Sequence, residues 1–445
     1  MSDSRPSARL RLLAQFDAAA GELSVGGVPA SELVERFGSP LYVYDAAVLR
    51  ERLALVQRAV GPAVRVLYSV KANPSVAVIA TLHRAGAGGE VASAGEIYAA
   101  RAAGLPGPDL HFAGPGKTAA DLELACREGV GVINLESAAE YEALVALTAT
   151  RGGPRPRVAL RVNPAQAIAG ARMVMGGAAK KFGVDEAAAP ALARRIVDDG
   201  AAELVGLHVY AGTQCFDAEA WLATAAGLLA TAARLEDDLG VPVRTCNFGG
   251  GFGFGYYDSD PELDLEALGR GLRALIDAAP PGRDYYIELG RFLTAPAGVY
   301  LTRVTYLKES GGRCHAILDG GMHQHAAAAG VGAVIRRTFP VVRARAPRTP
   351  DTRDYSLGGP LCTPADQLAD AVALPELQQG DVLAFLASGA YGLTFSSTMF
   401  LSHPLPPEVL VDGGVAHLVR EGTAPADWLR GQHLPPAADA CSSGS

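Results

Sequence analysis

Three short stretches of this chain hold residue types that can do chemistry together. The first is "VRVLYSVKANP", residues 64–74, an apolar run that meets the ammonium of Lys71 near its end. A primary amine leaving a buried segment can attack a carbonyl carbon, although a lone lysine at a strand end is most often merely solvated. The second is "NFGGGFGFG", in which Gly249, Gly250 and Gly251 are consecutive. Without Cβ atoms their backbone N–H groups can approach an anion, though turns and tight packing use glycines too. The third is "IELGRF", which supplies the Glu288 carboxylate and the Arg291 guanidinium.

For these groups to meet on one ligand, distant parts of the chain must converge. Short β-rich runs, each followed by a helical pattern, recur from Val64 onward: "VRVLYSV", "GGEVAS", "LHFAG", "GVINLE", "RVALRV", "LVGLHVYAG", "TCNFGG" and "DYYIELG". Between them lie amphipathic stretches such as "SAAEYEALVALTAT", with apolar residues at three- and four-residue spacing. Eight such units predict an α/β fold, a closed (β/α)8 TIM barrel, with a doubly wound open sheet as the rival. From about residue 307 the segments "CHAILDGG", "DYSLGGP" and "DVLAFLASGAYG" are divided by Gly and Pro, which predicts an all-β C-terminal domain. The early "GSPLYVYD" is also β-type and precedes the lead-in helix "AAVLRERLALVQRAV". The expected division is therefore a barrel over 46–306 and a β domain over 1–45 and 307–445, with loose termini.

In such a barrel the chemistry sits at the C-terminal ends of the strands, and the loops after strands seven and eight form the usual phosphate site. Lys71 follows the first strand, the glycines the seventh, and Glu288 and Arg291 the eighth. An amine, a phosphate cradle and a carboxylate around one cavity are the set that pyridoxal 5'-phosphate requires. No register of the glycine run gives G-x-G-x-x-G, which disfavours hydride transfer with a dinucleotide.

Composition narrows the class. The 445 residues are 49% hydrophobic and 19% charged, with a net charge of -8 and no dense basic block, so neither nucleic acid nor an acidic membrane is an expected partner. Near the N-terminus "LRLL" is too short for a signal-peptide core or a membrane span, and a cytoplasmic enzyme is expected. Six cysteines without a C-x-x-C pair suit reduced thiols, and no metal site is expected.

Across residues 38–415 the chain resembles the fold-type III pyridoxal-phosphate decarboxylases, the group of diaminopimelate and ornithine decarboxylases. The resemblance is carried by "YSVKANP", "EVASAGE", "GLHVYAGTQ", "NFGGGFG", "ELGR", "GPLCTPAD" and "GAYG", in that order. It implies an alanine-racemase-like architecture in which Lys71 forms the Schiff base. Gly249, Gly250, Gly251, Gly290 and Arg291 then hold the phosphate, with Tyr391 reaching it from the β domain. Glu288 pairs with the pyridine nitrogen, which favours decarboxylation over racemisation. Tyr210, where many members have a stacking histidine, and Thr213 complete the cofactor set, and Asn73 and Arg161 line the pocket; strand alternation puts His208, two residues before Tyr210, on the same face and adds it as a candidate. Cys362, in "GPxC", comes from the partner subunit and helps protonate the product, which implies a homodimer, and Asp366 supports its loop.

The substrate residues depart from the diamino-acid pattern. Relatives acting on diamino acids carry Asp or Glu directly after the motif cysteine, whereas this chain has Thr363. Together with "DGGMHQHAAAAG", this looks most like the subgroup that decarboxylates glutamyl units tethered to an acyl carrier protein in butirosin biosynthesis. Arg336 and Arg337 are the expected partners of an acidic or carrier-borne substrate, and His323 and His325 are expected in the pocket or at an interface. Carboxy-lyase action on an α-amino acid or carrier-tethered aminoacyl substrate is thus the expected function. A free amino-acid decarboxylase of diaminopimelate type, an amino-acid racemase and a non-catalytic homologue remain as alternatives.

Overall fold

The computed structural model describes residues 7–16, 21–164, 171–174, 181–210, 212–331, 337–346 and 351–435. Strand β1 (Leu41–Asp45) is buried throughout and ends on Asp45. The Asp45 carboxylate accepts from the Ala47 and Val48 N–H groups and so caps the helix Ala46–Val60, which stops at Gly61 with a φ of +83°. Next comes β2 (Val64–Ser69), followed by β3 (Gly88–Val91), β4 (Leu110–Phe112), β5 (Val132–Leu135), β6 (Arg157–Asn163), β7 (Glu203–Val209), β8 (Thr245–Gly250) and β9 (Asp284–Leu289). Each pairs in parallel with the next, and β9 returns to β2 through Tyr285↔Val64 to Leu289↔Tyr68, closing an eight-stranded barrel. All eight β-rich runs read from the sequence are strands of this barrel.

Its wall is made by fully buried aliphatic and aromatic side chains, among them Val66, Leu110, Ile133, Leu160 and Ile287. The interior carries something else. His111, Asn134, His208, Asn247 and Glu288, from five different strands, are all at most 2% exposed. His111 on β4 touches the Tyr286 ring on β9 at 4.5 Å between centroids, and His208 on β7 reaches Glu288 on β9. Neither pair of strands is adjacent, so these contacts run through the barrel.

The second sheet is built from β10 (Gly298–Ser310), β11 (Arg313–Leu318), β12 (Val341–Arg343), β13 (Thr352–Gly358), β14 (Gln367–Pro375), β15 (Val382–Phe385), β16 (Glu408–Asp412) and β17 (Val415–Arg420). Its order is β14-β13-β11-β10-β1-β16-β17, with β15 against β10 and β12. β1 lies antiparallel to β10 and parallel to β16, so an N-terminal strand completes the C-terminal domain. The expected division at 306/307 falls inside β10, which runs unbroken from the barrel exit into the second sheet.

Candidate active site

Lys71 lies in a single turn, Val70–Ala72, directly after β2. The turn is fixed from both sides: Asn73 donates to the Gly389 carbonyl and accepts from the Ser75 N–H, and the Tyr391 N–H donates to the Ala72 carbonyl. A single loop of the second domain, residues 389–391, thereby holds the lysine in register with the barrel. Its Nζ sits 2.9 and 2.8 Å from the two oxygens of Glu90 at the end of β3. Burial works against the ammonium, but the Glu90 carboxylate, together with Tyr210, Glu288 and Tyr391, outweighs it and raises the Lys71 pKa above the ordinary lysine value.

The other groups converge on this amine. Tyr210, immediately after β7, places its ring centroid 5.7 Å from Lys71 Nζ, with the Arg161 guanidinium 5.9 Å away. Burial pushes the Tyr210 phenol up to about 12, so it stays neutral, and the Thr213 side chain lies beside it. Arg161 is itself neutralised by Glu136 at 2.8 Å and spans the rings of Tyr210 and Phe182. Glu288 is 2% exposed, and its carboxylate accepts from Asn247 Nδ2 at 2.7 Å and faces His208 Nε2 at 3.2 Å. Burial alone would raise its pKa; His208 and, farther off, Lys71 reverse this and hold it well below the usual carboxylate range. Glu288 is therefore an anion across neutral pH.

The glycine run has a structural reason as well as a chemical one. A Cβ on Gly250 would lie 1.6 Å from the Glu288 carbonyl oxygen, and one on Gly251 would lie 2.0 Å from the Gly212 carbonyl oxygen. Only glycine lets the ends of β7, β8 and β9 crowd together here. Gly290, where a Cβ would press on Ala72, opens the short helix that carries Arg291. Arg291 donates to the Tyr256 hydroxyl at 3.2 Å and packs 4.6 Å from the Tyr391 ring centroid. Its Nε is buried without a partner, and no carboxylate among the described residues pairs with it. A buried guanidinium lacking an anion, beside a glycine cradle, fits a phosphate. The amine and the anionic carboxylate on the same mouth fit an aldehyde and a protonated ring nitrogen, so the residues present suit pyridoxal phosphate.

Sequence reasoning names most of this cluster and assigns no role to two of its members. Glu90 sits inside the quoted "EVASAGE", where an acid before a Ser-capped helix is the available signal; Asn247 opens the quoted "NFGGGFG". The predicted substrate residues lie elsewhere. Cys362 is exposed on the loop between β13 and β14 and makes no hydrogen bond among the described residues, and Thr363 next to it accepts weakly from the Ala365 N–H. Asp366 is 5% exposed and accepts from the N–H groups of Met322 and Leu361, tying that loop to the turn that follows β11. Arg337 pairs with Asp260 at 3.1 Å and covers the Tyr257 ring, so its charge is already answered; Arg336 falls outside the described residues. His323 is buried against His403, with both ring nitrogens unpartnered, while His325 bonds the Ser388 hydroxyl.

Comparison with known proteins agrees with this chemistry. Residues 46–295 match the family described as pyridoxal-dependent decarboxylase, pyridoxal binding domain. The L-glutamyl-[BtrI acyl-carrier protein] decarboxylase of Niallia circulans is 35% identical over 401 residues, covering 88% of this chain and 93% of that protein. The diaminopimelate decarboxylase of Pseudomonas fluorescens is 34% identical over 426 residues, covering 95% and 99%. Among solved structures, diaminopimelate decarboxylase from Helicobacter pylori complexed with L-lysine superposes with a TM-score of 0.81 at 25% identity, covering 90% of this chain and 98% of that one. The enzyme from M. jannaschi gives 0.87 at 24%, covering 96% and 99%, a likeness of fold. With its amine, carboxylate and anion cradle gathered on one barrel mouth, this chain belongs to the pyridoxal-dependent decarboxylases.

Proposed function

We propose that this decarboxylase acts on a glutamyl-type amino-acid unit held as a thioester on an acyl carrier protein, and that it works as a homodimer. The observation that carries the substrate reading is the loop between β13 and β14. Its one carboxylate, Asp366, is buried and spent on backbone N–H groups, and the position after Cys362 is the neutral Thr363. Nothing on that loop can answer a distal ammonium, and leaving such a charge unpaired in a closed site costs about 3–5 kcal/mol.

In this reading Lys71 would hold the cofactor through its aldehyde. Arg291 and the backbone of Gly249–Gly251, with Tyr391 beside them, would hold the phosphate. Glu288 would keep the ring nitrogen protonated, and Tyr210 would supply an aromatic face for the ring. Pyridoxal phosphate supplies the sink for the electron pair freed as carbon dioxide leaves. Glu90 is the group placed to exchange a proton with Lys71 Nζ as the amine is released and recaptured. Cys362 of the partner subunit returns a proton to the α-carbon. Its exposure on one chain supports this, as do the exposed apolar side chains of Phe395, Met399, Phe400 and Leu401, a few residues beyond Tyr391. The free cysteines suit a reducing cytoplasm.

The test is carbon dioxide release from free amino acids and from carrier-tethered aminoacyl thioesters. Release from the glutamyl thioester, and not from diaminopimelate, is expected; turnover of free diaminopimelate alone would make the chain an enzyme of the second type of relative. Mixing Lys71→Ala with Cys362→Ala subunits should restore up to about a quarter of wild-type activity, because a two-fold mixed dimer regains one intact shared site.

A further inference from the structure

The interior of the barrel beneath the mouth carries more than support. We propose that Asn247 and His208 clamp the Glu288 carboxylate from below, and that Asn247 couples this clamp to the glycine cradle, so that one amide sets the spacing between the two ends of the bound cofactor. The proposal builds on the cofactor assignment and concerns residues that the substrate reading leaves idle.

Three observations carry it. First, Asn247 uses both ends of its amide: Nδ2 donates to Glu288 Oε1 at 2.7 Å and Oδ1 accepts from the Gly249 N–H at 3.0 Å. The amide cannot be turned over. A flipped Asn247 would put its oxygen against a carboxylate and its NH2 against an N–H, two repulsive contacts inside a dry barrel. Second, His208 Nε2 lies 3.2 Å from the other oxygen, Oε2, so each Glu288 oxygen meets one donor. A carboxylate has about four acceptor sites in its plane, which leaves room for one more donor from the mouth side. Third, all three residues are at most 2% exposed, so water cannot replace either donor.

The alternation of β7 fits this assignment. His208 and Tyr210 are two positions apart on the same run, and the structure divides the work between them: Tyr210 faces Lys71 at the mouth, and His208 reaches Glu288 within the barrel. His208 is a positioning residue in this scheme and does not need to touch the substrate.

The experiment titrates the full-length protein with pyridoxal phosphate and, separately, with phosphate-free pyridoxal, reading the visible absorbance and its circular dichroism, which reports ring orientation. His208→Phe removes a donor at the ring end only, and should weaken both ligands by the same factor, about tenfold. His208→Gln, which keeps an N–H donor, should recover most of that loss and the wild-type dichroism. Asn247→Leu removes clamp and cradle contact together, and should weaken pyridoxal phosphate more than pyridoxal. If that variant does not fold, Asn247→Asp decides: it keeps the acceptor for Gly249 but sets a second carboxylate against Glu288, so both ligands should weaken equally. The proposal is overturned if Asn247→Leu weakens the two ligands equally, if Asn247→Asp weakens pyridoxal phosphate selectively or not at all, or if His208→Gln behaves like His208→Phe. A wild-type protein that gives no visible band with pyridoxal phosphate would instead bring down the cofactor assignment.

Discussion

The barrel mouth and the loop between β13 and β14 are built on opposite plans. At the mouth, charges meet within one chain: Lys71 with Glu90, Glu288 with His208 and Asn247, Arg161 with Glu136. On the loop, the one acid is turned inward to hold the backbone, and Cys362 and Thr363 face outward with little to bond. The difference separates two tasks. In the proposed reading, a cofactor of fixed shape is gripped by groups gathered within one chain, whereas the loop assigned to substrate selection and protonation presents its side chains outward.

That contrast can be broken most sharply at the mouth. Lys71→Ala removes the amine proposed to carry the cofactor, and carbon dioxide release should fall by more than about a thousandfold. Borohydride trapping followed by peptide mapping checks the same residue, and label on any other side chain would refute the assignment. Arg291→Met leaves a phosphate facing an apolar chain, and equilibrium dialysis should show pyridoxal phosphate bound about a hundredfold more weakly. Retained affinity would mean that the glycine cradle suffices. On the loop the effects are expected to be smaller. Thr363→Glu should raise turnover of a diamino acid relative to the glutamyl thioester by about tenfold, and an unchanged ratio would show that side-chain choice is made elsewhere.

A further expected effect, on stability rather than turnover, concerns Glu96, at the mouth behind Glu90. Burial and the neighbouring Glu90 charge lift its pKa to about 7. A carboxyl whose folded pKa exceeds its unfolded value near 4.5 binds more protons when folded, so its contribution to stability falls as pH rises from about 4.5 to about 7. Glu96→Gln should flatten that decline in denaturant titrations of the cofactor-free protein, by up to about 3 kcal/mol between the two ends of the window. An unchanged slope would place the titrating group elsewhere.

Much of the mouth is legible in the sequence because barrel strands are short, buried and closed by punctuating residues, so that Lys71, the glycine run and Glu288 each sit at or just past a readable strand end. The family motifs then supply roles that spacing alone does not carry. What cannot be read depends on contacts between distant segments. Glu90 becomes the partner of Lys71 only through the register of β2 and β3, and β1 joins the second sheet by pairing with strands more than two hundred residues away. Arg337 reads as a free cation for a substrate; Asp260, far from it along the chain, neutralises it. Strand alternation assigns His208 to the cofactor, and its partner Glu288 emerges only where β7 and β9 face each other across the barrel.

The unanswered guanidinium of Arg291 has a practical consequence. Before the vitamin arrives, that corner of the cavity is an electrostatic sink for any small dianion of the right size. Sulfate or inorganic phosphate in a purification buffer should lodge there and slow reconstitution. Loading should proceed faster in a medium whose only multivalent anion is the cofactor itself.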